Sequence, residues 1–508
     1  MITKLYSDRQ RTHGQIARWL GLVVLILAGL ALSACGGGGS GTGDVSDTGE
    51  VIVALTDAEG DFASYTVDVL SLTLTKANGA VVETLPLSTR VDFARYTDLT
   101  EFLTAATVPS GVYVKGTMVL DYSAADIWVE DAGGEAVKVD TIVDSNGNPV
   151  TQLEVSVQLE DRKQLTIVPG VPAHLTLDFD LQASNSVAFD PAGVPSVTLA
   201  PFLLAEVNAN LNKTHRLRGP LKAVDTAAGK FEVYLRPFRH RIADQSRHFG
   251  ALNVSTDDET TFDIDGSGYQ GDAGLAVMDL LVQYSAVVVI GDIRFNPRRF
   301  LARQVYAGSS VPGGDMDVVR GSVVARAGNS LSVKGVTLFR RDGTVIFNDT
   351  VTVELADSTR VSKQLSMEPA AIGDVSVGQR VTVFGTVNNP DVTALVLDAA
   401  NGYLRMELSS LQGTRVDLVG ITEQTLPLVV DVTSINGRNA GLYDFTGTGS
   451  DTASDADPFN YEVNTGALDV AAIAGDAPLA VRGHVTPFGQ APLDFDAQTI
   501  VDRSAISP

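Results

Sequence analysis

Between residues 213 and 247 nine cationic side chains (Lys213, Arg216, Arg218, Lys222, Lys230, Arg236, Arg239, Arg241 and Arg247) stand against Asp225, Glu232 and Asp244, a local balance of +6 in a chain whose formal charge is −24. Guanidinium groups take planar carboxylates and phosphates through paired N–H donors, and Tyr234 and Phe238 add aromatic surface to the stripe. Arg236, Arg239, Arg241 and Tyr234 are therefore the candidate ligand-binding residues. The anionic partner they suit is an acidic glycan, a lipid headgroup or the acidic first module of the chain itself. The same pattern fits an edge strand protected by charge. Replacing Arg236, Arg239 and Arg241 with Ser and measuring retention on acidic polysaccharide separates the two readings.

Other chemistries find less support. Nucleophilic catalysis needs a base within reach of a Ser or Cys. Beyond residue 34 the chain has His174, His215, His240, His248 and His484, but no Gly-x-Ser-x-Gly and no catalytic cysteine. His240 and His248 are spaced too widely and lie among arginines that repel cations. There is no phosphate-cradling loop or dinucleotide fingerprint, so no cofactor is expected. Asp178 and Asp180 lie two apart on a predicted strand and share a face. Asp263-Ile264-Asp265-Gly266-Ser267-Gly268, and the group Asp451, Asp455 and Asp457, look like oxygen-rich calcium loops, yet neither has the twelve-residue pattern with a terminal Glu. Polar turns are the simpler reading. No catalytic residue and no metal ligand is assigned.

The charged groups sit in a chain of 508 residues, 44% hydrophobic, 6% aromatic and 19% charged, with 37 Lys and Arg against 61 Asp and Glu. That balance excludes a disordered acidic tail and a polytopic membrane protein, and its negative field disfavours nucleic acid. At the N-terminus Lys4, Arg9, Arg11 and Arg18 precede an apolar run from Leu20 to Leu32, then Leu32-Ser33-Ala34-Cys35. About 13 residues at 1.5 Å each reach roughly 20 Å as a helix, short of a hydrocarbon core of about 30 Å, so the run reads as a signal segment. Leu-Ser-Ala-Cys resembles the lipobox of bacterial lipoproteins, whose cysteine is acylated and becomes the new N-terminus. Cys35 is the only cysteine, so an internal disulfide is excluded and lipidation, with palmitate-type chains, is its expected role. Gly36 to Gly43 form a flexible tether. Gly36, where lipoproteins kept at the inner membrane often have Asp, favours the outer membrane. Removing residues 1–34, with four cations and Asp8, takes the net charge from −24 to −27.

After the tether, Glu50 to Thr56 reads as a strand, Asp57 to Asp61 as a turn, and Tyr65 to Thr75 as an alternating strand with a phase shift at Leu70-Ser71. Asp98 to Ala105 reads as one short helix, and Asp144 to Pro149 as a hairpin tip. Strands punctuated about every ten residues predict a sandwich. Leu55-Thr56-Asp57-Ala58, Pro109-Ser110-Gly111-Val112-Tyr113, and Asp178-Phe179-Asp180 with Ser184 and Pro201 resemble a family of bacterial lipoprotein domains catalogued as domain of unknown function 4382. The resemblance covers about 160 residues and implies an exported β-sandwich-like domain without established catalysis. Glu59 stands where a Pro usually follows in that family.

The remainder repeats itself. Gly219 with Gly291, Gly321 with Gly385, and Gly420 with Gly483 open and close three units whose closing runs read Val-Val-Ile-Gly-Asp-Ile, Val-Thr-Val-Phe-Gly-Thr-Val and Leu-Ala-Val-Arg-Gly-His-Val. A glycine recurring inside a strand points to a bulge or sharp bend where a small sheet curls into a barrel. The units resemble the exported β-domain catalogued as domain of unknown function 5666, most closely in the second copy, and a five- or six-stranded barrel of OB-like or SH3-like kind is expected for each.

The expected protein is all-β, an N-terminal β-sandwich-like domain followed by three small β-barrel-like repeats. Residues 1–34 are the signal peptide and 35–47 the lipidated Cys and tether. Residues 48–210 form the sandwich, and 213–311, 316–411 and 413–508 the barrels, strung outward. The expected role is that of a non-enzymatic cell-envelope lipoprotein, a surface binder or spacer held on the membrane through its N-terminal lipid. Its partner would be a glycan or an envelope protein, and not nucleic acid. A polysaccharide-processing enzyme and a calcium-stabilised adhesin are the alternatives.

Overall fold

A computed structural model of the chain describes residues 47–56, 62–96, 99–131, 133–159, 164–207, 214–236, 249–294, 299–388, 395–416 and 428–504. The expected signal segment, Cys35, the expected glycine tether, the expected turn over 57–61, Lys213, Phe238, Arg239, His240, Arg241, Arg247, His248 and Gly420 lie outside the described residues. The protein is all-β.

The first module has two main sheets. In one, Thr48–Thr56 runs parallel to Ala173–Asp178 and antiparallel to Leu99–Pro109. In the other, Phe62–Lys76 pairs with the twenty-residue strand Gly111–Glu130. Alternate residues Val67, Val69, Leu72 and Leu74 are fully buried, and the phase change between Val69 and Leu72 is a bulge that leaves Leu70 37% exposed. The predicted hairpin tip is present, with the Asp144 carboxylate accepting the Asn146 and Asn148 amides. The expected helix over 98–105 is corrected: Leu99–Pro109 is a strand. Thr100, Glu101, Phe102, Leu103 and Thr104 are all buried. A strand covered on both faces shows no alternation, so its sequence mimics a short helix.

Each repeat closes into a five-stranded barrel. In the first, Thr214–Asp225, Lys230–Tyr234, Ala251–Ser255, Ala286–Arg294 and Arg299–Ala307 join in the cyclic order 1-2-3-5-4-1, with strands 3 and 5 parallel. The second uses Asp317–Ala327, Ser330–Phe339, Val345–Glu354, Arg380–Val387 and Val396–Glu407 in the same order. The third uses Ser409–Arg415, Leu428–Ile435, Tyr461–Asn464, Pro478–Val485 and Phe495–Asp502, again in that order. This is the connectivity of the OB-type barrel and not of the SH3 type.

The repeated glycines bend these barrels. At Gly291, Gly385 and Gly483 the pairing of strands 4 and 5 slips register, and an added Cβ would lie 2.1, 2.4 and 1.9 Å from a carbonyl oxygen of the neighbouring strand. The opening glycine pairs with the residue four before the closing one: Gly219 with Val287 and Gly321 with Val381. In the third barrel that partner, Leu479, faces Gly413. Gly413, whose Cβ would lie 2.2 Å from the Asp431 oxygen, is thus the opening glycine, and the assignment to Gly420 is corrected. Gly385→Ala is expected to destabilise the protein by about 1–3 kcal/mol, because the backbone oxygen cannot step aside. Gly314→Ala, with nothing within 4 Å of the new Cβ, is expected to be near neutral in the same urea titration.

The modules are not strung outward. Residues 47–508 form one compact unit, and the expectation of separate beads is corrected. Leu99–Pro109 of the sandwich runs on into the first barrel by parallel pairing of Leu99 to Glu101 with Thr214 to Arg216. A single hydrophobic core extends from Val51 to Ala307. Trp128 of the sandwich packs 5.2 Å from Phe347 of the second barrel, and Glu130 pairs with Arg438 of the third. Val324 and Val377 of the second barrel are inserted into the core of the third.

Candidate functional site

The predicted basic stripe divides into an interior and a surface part. Arg216 and Arg218 alternate with Leu217 on the first strand of barrel 1, and all three are buried. The closed barrel turns both guanidinium groups toward Glu101, a carboxylate with no exposure. Arg216 Nε donates to its Oε2, and Arg218 Nε donates to Oε1 at 2.6 Å. Arg218 Nη2 also donates to the Tyr96 hydroxyl at 3.4 Å, and the Arg216 guanidinium lies 5.7 Å from the Tyr96 ring. These two cations hold the sandwich to barrel 1. The charge-protected edge reading fails as well, because Thr214–Asp225 and Lys230–Tyr234 each have partners on both sides. Barrel closure leaves them no edge.

Tyr234 and Arg236 lie at the half-buried end of the second strand. The ring of Tyr234 stacks on Tyr284 at 6.1 Å and an interplanar angle of 12°. Lys222 Nζ sits 5.3 Å from the Tyr234 centroid and pairs with Glu232 at 2.7 Å. Gln283 donates to the Lys222 carbonyl at 3.3 Å, and the Arg236 amide donates to the Arg218 carbonyl at 2.7 Å. Tyr284 has φ of +71°, an uncommon conformation for a residue with a side chain, and it is held there in the stack. The result is a two-tyrosine platform edged by one cation and one carboxylate, with Arg236 alongside in sequence. Tyr284 and Lys222 were not singled out as ligand residues by sequence reasoning. Tyr284 lies fifty residues beyond Tyr234 in a segment without a charge signal. Glu232 also raises the pKa of Glu50, after burial as the larger cause, so the start of the first strand lies near this platform. Beside Glu50 is a shallow recess of about 270 Å³ lined by Gly49, Thr107, Gly170, Val171 and Pro172.

The two carboxylate motifs that look like calcium loops are engaged within the fold. Asp263 accepts from Ser310 Oγ at 2.6 Å, from Arg405 Nη2 at 2.8 Å and from the Tyr403 hydroxyl. Arg405 lies 3.7 Å from the Tyr306 ring, so this cluster joins barrel 1 to barrel 2. Asp451 accepts the Ala453 and Ser454 amides, Asp455 that of Gly449 and Asp457 that of Phe459; these are turn contacts. Asp180 caps the helix Leu181–Ser184 through the Ala183 amide, and Ser184 exchanges hydrogen bonds with the backbone of Phe202. The Tyr113 hydroxyl donates to the Pro109 carbonyl at 2.7 Å. The motifs that carried the family resemblance are thus at least partly structural.

Among the histidines, His484 lies between barrels 2 and 3, its Nε2 donating to the Gln364 carbonyl at 3.2 Å. Burial pushes its pKa down to about 4, with Lys363 adding to the shift. Between pH 6.5 and 4 the unfolded chain therefore binds a proton that the folded chain refuses, and stability falls as pH drops through that window. Asp494, raised to about 6 chiefly by burial, works in the opposite sense: its folded form takes up a proton between pH 6 and 3.8. His484→Gln is expected to remove the loss, so that its urea midpoint falls less than the parent's from pH 6.5 to pH 4.

Residues 48–193 match the profile of a family described as Domain of unknown function (DUF4382), in agreement with the resemblance of the first module. No curated protein matches the chain. Among solved structures, MbnP from Methylosinus trichosporium is similar over 33% of this chain and 74% of its own, at 11% identity and a TM-score of 0.13. A candidate cell adhesion protein from Parabacteroides distasonis is similar over 71% of this chain and 98% of its own, at 10% identity and a TM-score of 0.14. Likeness at these scores carries no argument. No helix among the described residues is long and apolar enough to cross a membrane.

Proposed function

We propose that the chain is a non-enzymatic lipoprotein of the bacterial cell envelope, acylated on Cys35 and probing its surroundings with a stiff four-module body. The observation that supports this reading best is the docking of the modules through buried polar groups. Glu101 with Arg216 and Arg218, Asp263 with Arg405, and Glu130 with Arg438 each tie two modules together. A body stiffened in this way suits spacing or display at the end of a lipid tether. The binding surface is the Tyr234–Tyr284 platform with Arg236, and by sequence Arg239 and Arg241. Flat aromatic rings beside cations suit a sugar carrying carboxylates, so the ligand is an acidic glycan of the envelope.

Cys35→Ser is expected to move the protein from the membrane to the soluble fraction of native cells, since an acyl chain contributes about 0.8 kcal/mol per buried CH₂. Unchanged partitioning would contradict the anchor. Tyr234→Ala combined with Arg236→Ser is expected to abolish salt-sensitive retention on acidic polysaccharide without changing the unfolding free energy measured in urea by more than about 1 kcal/mol. A polysaccharide-processing enzyme would instead turn over the glycan and lose that turnover when one carboxylate is changed. A calcium-stabilised adhesin would melt higher with calcium and lower with chelator.

A further inference from the structure

We infer that the three-way junction of the sandwich with barrels 1 and 2 is a binding site for a small oxyanion of the phosphate or sulfate class, held by Arg95 and by Nη2 of Arg216. Three modules bring four guanidinium groups to this junction. Arg95 comes from the short 3-10 turn Phe93–Arg95 of the sandwich, Arg216 and Arg218 from barrel 1, and Arg320 from the first strand of barrel 2. Their carboxylate partners are unevenly shared. Glu101 serves Arg216 and Arg218, and Glu407 takes both Nε and Nη2 of Arg320, at 3.0 and 2.6 Å. Asp92 accepts the Tyr65 amide at 2.8 Å. No described carboxylate lies within ion-pair distance of Arg95; Asp92 attracts it from farther off, and its guanidinium faces the Phe339 ring at 5.4 Å.

Arg216 is 4% exposed, and its Nη2 is buried with no acceptor among the described residues. A buried donor without an acceptor, next to a cation whose repulsion by Arg320 and Arg216 outweighs its attraction to Asp92, is an arrangement that folded proteins seldom leave unfilled. The electrostatics agree: burial, then Arg320 and Arg216, push the Arg95 pKa down to about 9. An added negative charge reverses that repulsion. Arginine forks match tetrahedral oxyanions through paired N–H donors. Because Arg216 and Arg218 are almost wholly covered while Arg95 and Arg320 are partly open, the site takes a compact anion from the solvent side. Since its donors come from more than one module, the bound anion also fastens the modules to one another.

The test uses the mature full-length chain and measures melting temperature against millimolar sodium phosphate or sodium sulfate, with sodium chloride at matched ionic strength. The expected result is a saturable rise of about 2 °C or more that is absent in Arg95→Gln. Without added anion, Arg95→Gln is expected to be at least as stable as the parent, because it removes a repelled cation. A response to phosphate, to sulfate or to both supports the site, and the preference assigns the ester class. Parent and variant responding alike, through general salting-out, would overturn it. So would loss of stability in the anion-free variant, which would mark Arg95 as a purely structural cation. If Arg95→Gln fails to fold, equilibrium dialysis of the parent decides: one phosphate or sulfate per chain supports the site, and none overturns it.

Discussion

Glu101→Gln is expected to cost about 3–5 kcal/mol of stability, the range for removing one member of a buried ion pair. Two nearly covered guanidinium groups depend on this carboxylate, and the amide that replaces it carries no charge to oppose theirs. Its backbone belongs to the strand through which the sandwich pairs with barrel 1. The loss is therefore expected in urea unfolding as a lower midpoint and as early exposure of the junction to protease. A change below about 1 kcal/mol, the range of exposed pairs, would show that the pair is hydrated in solution. Changing Glu101, Arg216 and Arg218 together to apolar residues of similar volume is expected to recover much of the loss, because the penalty lies in the uncompensated charge.

Asp263→Asn is expected to act at the next interface. It leaves Arg405 buried, 2% exposed, against Tyr306, Tyr403 and Phe384 with its carboxylate gone. The ring faces offset part of the lost attraction, so the cost is again about 3 kcal/mol. The readout differs: the segment from Val311 to Met316 joins barrels 1 and 2, and in this variant it becomes cleavable by protease while each barrel keeps its β-type circular dichroism. If the segment stays resistant, the hydrogen bonds from Leu365 to Gln304 and from Arg360 to Gly266 hold the interface without the ion pair.

Local features of this fold were legible in the sequence because their causes are local. The phase shift at Leu70-Ser71 marks a bulge, and the glycines at 291, 385 and 483 mark barrel bends, since alternation and a missing Cβ are visible in a few residues. The interfaces were not legible. Glu101 sits in Leu-Thr-Glu-Phe-Leu-Thr, which reads as a helix face, and its partners are 115 and 117 residues away. Asp263 reads as the start of a polar turn until Tyr403 and Arg405, 140 and 142 residues on, close over it. The stripe of cations was seen, but its linear charge count could not separate Arg216 and Arg218, which point into the body, from Tyr234 and Arg236 at its surface. The third opening glycine was misplaced because Val419-Gly420-Ile421 resembles a strand interior as well as Leu411-Gln412-Gly413 does, and only pairing with Leu479 distinguishes them.

The stiff body proposed above requires that the sandwich and barrels unfold together. Scanning calorimetry of the mature chain tests this most directly. One cooperative transition, with calorimetric and van't Hoff enthalpies in agreement, is the predicted result, and Glu101→Gln should split it in two. Several resolved transitions in the parent protein, unchanged by that substitution, would mean that the modules are independent beads and would contradict the account.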